Sequence, residues 1–156
     1  MLNRPVYIDL EGADLTGKTT LLKTTFRKGD YSKILCFHDR GILTHYVYNM
    51  NFGRYPEDLD LWHHELIEFA KYNGIIILAA QDLRTLEDRF KQRGGDDLFR
   101  LGEIFEINEQ YKLVYCSLLY IFPTVKLIYI ENKTPKQIYE EAEKLYYDIL
   151  EKVTCR

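Results

Sequence analysis

Cysteine is scarce in this chain, with three in 156 residues, and Cys36, Cys116 and Cys155 are too far apart for a disulfide framework or a metal-ligand spacing. That scarcity points to a reducing compartment. No apolar run approaches the roughly 20 residues a membrane-spanning helix needs, and the opening MLNRPVYIDL enters a strand too early to leave room for a signal peptide. The expectation is a soluble, cytoplasmic protein with no membrane partner. Positive charge is not in excess either: 21 Lys+Arg against 24 Asp+Glu leave a net charge of -3, which argues against a dedicated nucleic-acid coat or clamp. Repeats, low-complexity stretches and linkers are also missing, so residues 1–156 read as one domain, long enough to build a core without staples. Tyrosine is the residue in surplus, at 13 copies, and its spread along the chain suits amphipathic packing.

What is present is concentrated in EGADLTGKTT, residues 11–20. The segment fits GxxxxGK[ST] with Gly12, Gly17, Lys18 and Thr19, between an apolar run and the leucines of LLKTTF. Glycines at both ends let the backbone wrap closely around an anion, and successive N–H groups with the following helix start supply partial positive charge. Lys18 adds a full charge, and the Thr19 hydroxyl is of the type that ligates the Mg2+ bridging nucleotide phosphates. Residues 12–20 (Gly12, Ala13, Asp14, Leu15, Thr16, Gly17, Lys18, Thr19, Thr20) are therefore the candidate ATP phosphate site.

Four apolar runs read as buried parallel strands: VYIDL (6–10), KILCFH (33–38), GIIILAA (74–80) and VKLIYI (125–130). Helix-length segments separate them, and TPKQIYEEAEKLYYDILEKV closes the chain with Thr134 as N-cap and Pro135 at the first helical position. The alternation predicts a three-layer α/β sandwich with a parallel sheet of about four strands. In such sheets a ligand sits beyond the carboxyl ends of the strands. That crevice collects the glycine loop, DRG after the second strand, QDLR after the third and ENK after the fourth.

Phosphoryl transfer also needs neutralised charge, a carboxylate near metal or acceptor, and a lid against water. Asp39 and Arg40 supply a carboxylate and a guanidinium in the crevice. In LRTLEDRFKQRGGDD, Arg89 and Arg93 share a helix face before a diglycine, a pattern that suits a lid spanning about residues 83–100. The histidines carry less: His63 and His64 are adjacent, and i, i+1 side chains do not converge on one metal.

YIDLEGADLTGKTT resembles the opening of thymidylate kinases, whose EGxDGxGKTT pattern is matched by Glu11, Gly12, Asp14, Gly17, Lys18, Thr19 and Thr20. DRGILTHYVYN is similar to their DR(Y/F/H)xxS…AYQ segment through Asp39, Arg40, Thr44 for serine, Tyr48 and Asn49 for glutamine. EDRFKQRGGDD resembles their lid. The resemblance implies a P-loop kinase with strand order 2-1-3-4, transferring the γ-phosphoryl of ATP, with Mg2+, to a nucleoside or nucleotide, foremost a deoxypyrimidine nucleotide. It implies Asp14 toward the acceptor sugar, Asp39 at acceptor and metal, Arg40 on an acceptor phosphate, Thr44, Tyr48 and Asn49 near the base. Arg89 and Arg93 would reach the ATP phosphates, Asn132 would flank adenine, and a homodimer through residues 55–72 is permitted.

Two features depart from that family. Leu15 stands where the pattern has glycine, and only twenty residues separate Lys18 from Asp39, where the family inserts a strand, an arginine loop and helices over the acceptor. Either Arg54 or Arg84 replaces the missing arginine, or the acceptor side is open for a modified base or hydroxyl within DNA, with Tyr46, Tyr48, Phe52, Tyr55 and Trp62 as candidate stacking rings. A non-kinase NTPase is the third alternative; it would want an acid closing the third strand, where the chain has Ala79, Ala80 and Gln81.

Overall fold

The computed structural model describes residues 6–23, 35–53, 57–72, 74–95, 98–121 and 126–129, with Glu131, Lys136, Gln137, Glu140, Glu141, Lys144 and Tyr147. The elements in order are β1 (Val6–Glu11), α1 (Lys18–Leu21), β2 (Leu35–Asp39), α2 (Ile42–Asn51), α3 (Glu57–Lys71), β3 (Ile75–Leu78), α4 (Leu83–Arg93), α5 (Leu101–Ile121) and β4 (Lys126–Tyr129). The strands form one parallel sheet in the order β2-β1-β3-β4, the order expected. The segment 134–153, expected as a closing helix, falls largely outside the described residues, though those that are described between 136 and 147 are helical.

Register explains how both sheet faces come to be covered. Asp9 lies beside Ile76 and Glu11 beside Leu78, so these four side chains share one face, while Ile8, Leu10, Ile75 and Ile77 share the other. The first face packs on the main core of Leu43, Val47, Leu66, Leu86, Ile104, Ile107 and Tyr111, contributed by α2, α3, α4 and α5. The second face is equally shut: Ile8, Leu10, Ile75 and Ile77 are each 0% exposed. A sheet buried on both sides is compatible with the three-layer arrangement.

Helix α2 is an element that the sequence pattern did not announce. It begins after Gly41 with no side-chain cap of its own. Its first N–H groups are satisfied by β1 instead: Ile42 N donates to Asp9 (3.0 Å), Gly41 N and Leu43 N to Glu11 Oε1 (3.1 and 2.7 Å), and Thr44 N to Glu11 Oε2 (3.0 Å). A Cβ on Gly41 would lie 2.0 Å from Asp9 Oδ2, so glycine is what lets strand and helix meet this closely.

Helix α4 is bounded at both ends by local chemistry. Asp82 caps its start by accepting from Thr85 N at 2.7 Å. Gly94 and Gly95, at φ 82° and 105°, donate back to Lys91 O and Phe90 O, the paired bonds of a Schellman stop. The diglycine is thus a hydrogen-bonded helix end. In α3, Trp62 and Leu66 turn inward while Leu61 and Ile67 remain exposed.

Candidate functional site

The glycine loop leaves β1 at Glu11 and folds onto the end of β3. At Gly12, φ is 134° and a Cβ would sit 2.1 Å from the Ala79 carbonyl oxygen, so no larger residue fits. Thr16 Oγ1 donates across the turn to Ala13 O at 2.8 Å, and the backbone passes through positive φ at Leu15 (64°) and Gly17 (102°). Leu15 replaces the expected glycine yet holds a conformation glycine adopts easily, at a cost of roughly 1–2 kcal/mol for an L-residue.

Lys18 folds back into this loop, its ammonium donating to Gly12 O and Ala13 O, both at 2.7 Å. It is only 6% exposed. Burial first, and the like charge of Arg40 second, lower it to about 8, against the pull of Asp14, Asp39 and Glu11. At neutral pH it remains mostly a cation, and one largely stripped of water.

Three further contacts brace the loop from outside. Arg89, on α4, donates from Nη1 to Leu15 O at 2.7 Å. Gln81, just after β3, donates from its side-chain amide to Thr16 O at 3.3 Å. Asn108, on α5 and 0% exposed, grips the Gln81 backbone in both directions, accepting from Gln81 N (3.1 Å) and donating to Gln81 O (2.8 Å). A chain of amides therefore runs from α5 through the end of β3 to the loop. Sequence reasoning did not single out Asn108; the signal was a polar residue on the stripe of Ile104, Ile107 and Tyr111, all inward-facing at helical spacing.

Beside the loop stands the DRG turn. Arg40 also holds positive φ (68°); its N–H donates to Leu10 O at 2.9 Å and its guanidinium to Asp14 Oδ1 at 2.6 Å. Two non-glycine residues in the left-handed region, Leu15 and Arg40, thus flank one crevice, and such strain collects at functional sites. Arg40 lies over the Tyr48 ring, 5.3 Å from its centroid. Asp39, at the end of β2, is exposed, and so are Thr19 and Thr20 at the start of α1.

Glu11 sits beneath both turns, 0% exposed. Besides three N–H groups it accepts the Thr44 hydroxyl at 2.5 Å, and that hydroxyl also bonds Tyr111 OH at 2.7 Å. Burial, with the Asp9 carboxylate adding to it, raises Glu11 to about 7 despite these donors. Burial and the Glu11 charge likewise hold Tyr111 above the ordinary phenol range. Thr44, expected near an acceptor base, has its hydroxyl engaged within this network.

The structure gathers Gly12, Ala13, Asp14, Leu15, Thr16, Gly17, Lys18, Arg40 and Arg89 at one place, with Asp39 near enough to act on Lys18. Arg93, one turn beyond Arg89, lines instead a groove of about 900 Å³ between the end of α4 and the start of α5, with Phe90, Leu98, Phe99 and Arg100. Tyr48 belongs to α2 beside Phe52 and Phe99, and Asn49 is half-buried on the same helix. Trp62 is buried, donates to Ile42 O at 2.8 Å and packs on the half-buried Tyr46, which makes Trp62 core rather than stacking surface. Arg54, Tyr55 and Asn132 lie outside the described residues.

Among the described residues no group of three or more His, Cys, Asp or Glu side chains is placed to hold a metal ion, and no helix is long and apolar enough to cross a membrane. Thr19 and Asp39, the expected Mg2+ ligands, offer an exposed hydroxyl and an exposed carboxylate, the oxygen donors that this ion takes. No protein-family model, curated protein or solved structure matches the chain.

Proposed function

We propose that this protein is a P-loop kinase that moves the γ-phosphoryl of ATP to a nucleoside or nucleotide, with a deoxypyrimidine nucleotide as the first acceptor to test. The observation that carries the reading is the loop itself: a turn of positive φ between a central parallel strand and a helix, with a desolvated lysine folded into it and an arginine from another helix bonded across it. Such a loop is built to exchange internal contacts for those of a polyphosphate. Lys18 leaves two carbonyl oxygens for phosphate oxygens, and Arg89 leaves the Leu15 carbonyl for the transferring group.

In the reaction the acceptor oxygen bonds to the γ-phosphorus in line with the departing bridge oxygen, and ADP leaves with that oxygen. Mg2+, when bound, neutralises charge on the terminal phosphates, and Thr19 and Asp39 are the residues that would hold it. Lys18 and Arg89 hold the donor end. Arg40, tethered to Asp14, orients the acceptor end. Little covalent chemistry falls to the protein; positioning and electrostatics supply the rate. Gln81 supports a kinase over a switch-type NTPase, because the position where the latter wants a metal-binding acid carries an amide already bonded to the loop.

The deciding experiment is transfer of label from γ-labelled ATP with Mg2+ to deoxynucleosides, deoxynucleoside monophosphates and single- or double-stranded DNA, with Lys18→Ala as the control. Label on one of these classes, abolished by the substitution, is the expected result. ATP turnover with label only in inorganic phosphate would replace the kinase with a hydrolase.

A further inference from the structure

Three rings meet between the end of α2 and the start of α5. Tyr48, Phe52 and Phe99 lie with centroids 5.8 Å (Tyr48 to Phe52), 6.3 Å (Tyr48 to Phe99) and 6.1 Å (Phe52 to Phe99) apart. Unlike Trp62, this triangle is not closed over: Phe52 is 51% exposed, and Phe99 forms a wall of the groove between α4 and α5. The triangle is also wired to the glycine loop, since Tyr48 carries the Arg40 guanidinium and Arg40 is held by Asp14. Arg93 and Arg100 stand on the same groove. Glu103, on the same groove, accepts the Arg100 backbone N–H at 2.7 Å.

We propose that the rings of Phe52 and Phe99, backed by Tyr48, form the face on which the acceptor's nucleobase stacks, with Arg93 and Arg100 serving a phosphate that the acceptor carries along the groove. The groove, at about 900 Å³, lies in the upper part of the range usual for small-molecule sites, roughly 300–1,000 Å³. Aromatic faces beside guanidinium groups are the chemistry that binds a base and its phosphate without demanding a base sequence. Phe99 leads from the α4 end into α5, so the base would be gripped by the same segment that carries the arginines. The proposal rests on the kinase reading for the word acceptor, but not for the binding itself. The shared chemistry, a nucleobase with a phosphate ester, is offered by a free nucleotide and by the end of a single strand.

The test is calorimetric binding without ATP, on the full chain, of thymidine 5′-monophosphate, ribose 5-phosphate and a thymidine octanucleotide. The nucleotide or the oligonucleotide should bind at least tenfold tighter than ribose 5-phosphate. Phe99→Ala should remove about a tenfold advantage, which stacking of one base commonly supplies, and Phe99→Tyr should restore it with ATP affinity unchanged throughout. An octanucleotide preference that falls with salt and with Arg93→Ala identifies a strand; equal affinity identifies the free nucleotide. Binding of ribose 5-phosphate as tight as that of either base-bearing ligand, a comparison that needs no variant to fold, overturns the proposal. Base binding without any transfer would sink the kinase reading and leave the groove standing, whereas transfer with Phe99→Ala indifferent to the base would do the reverse.

Discussion

Two helices begin in the same way and end up with opposite tasks. Helix α1 follows Gly17 and helix α2 follows Gly41, the first beyond the carboxyl end of β1 inside the sheet and the second beyond that of β2 at its edge, and neither has a capping side chain of its own. For α2 the chain answers from within, because Asp9 and Glu11 reach up from β1 and take its leading N–H groups. At α1 the side chain seen to enter the loop is a lysine. A helix start filled by the protein's own anions is a fixed joint, while a start furnished with a cation waits for an anion from outside. On the kinase reading, the turn before α1 is the site and the look-alike turn before α2 is structure.

The strongest way to break it is Lys18→Ala. If α1 is the ligand-binding start, transfer should fall by about 10²–10³-fold or more, the loss typical of removing one preorganised charge-stabilising donor, with the circular dichroism spectrum unchanged. Activity within a few-fold of wild type would remove the loop from the mechanism. Next in size is Gly41→Ala, aimed at the other start. Its Cβ would meet Asp9 Oδ2 at 2.0 Å, so unfolding in urea should show a loss of about 3 kcal/mol, as for other overpacked sites. An unchanged midpoint would mean that Asp9 does not hold the α2 start.

Much of this was legible before any coordinates, and the boundary of legibility has a physical cause. The four strands followed from apolar runs separated by helix-length segments, their order in part from the family resemblance, and the loop from its glycines and Lys18, because the runs and the loop are signals carried within a few residues of one another. The α2 cap did not, since its acceptors sit about thirty residues upstream, at Asp9 and Glu11, and a glycine at a helix start announces nothing about them. Arg93 was read with Arg89 because they are one turn apart, yet one braces the loop and the other borders the groove. Asn108 was visible in principle as a polar residue on a buried stripe; its partner, the Gln81 backbone, was not.

A pH titration sharpens the contrast at intermediate size. Folding raises the Glu11 carboxyl from 4.5 to about 7, so the folded chain holds that proton more tightly than the unfolded one. Stability from this group is therefore highest below about 4.5 and declines as pH rises through about 7, by up to roughly 3 kcal/mol at 1.36 kcal/mol per unit. Glu11→Gln lowers stability overall, since one amide oxygen cannot replace two carboxylate oxygens. What it should specifically abolish is this slope, read as the difference between the two chains' urea midpoints from pH 4.5 to 7.5. Parallel curves would show that the donors on Glu11 offset its burial and hold the carboxyl in the ordinary range.

The smallest effect lies at Leu15, where the loop's own geometry can be weighed. Its φ of 64° penalises any residue with a Cβ, while the side chain gains by packing against the core. Leu15→Ala gives up the packing and keeps the penalty. Leu15→Gly gives up the packing and the penalty together, at the cost of about 0.5–1 kcal/mol in unfolded-state entropy. The glycine variant should then be as stable as the alanine variant or more stable by up to about 1 kcal/mol, the reverse of the usual order. Because Arg89 bonds the carbonyl of residue 15, which both variants retain, ATP affinity should track the loop conformation and favour glycine. If alanine proves the more stable of the two, the loop does not hold a left-handed turn at residue 15, and the likeness between the two helix starts would extend further than their caps suggest.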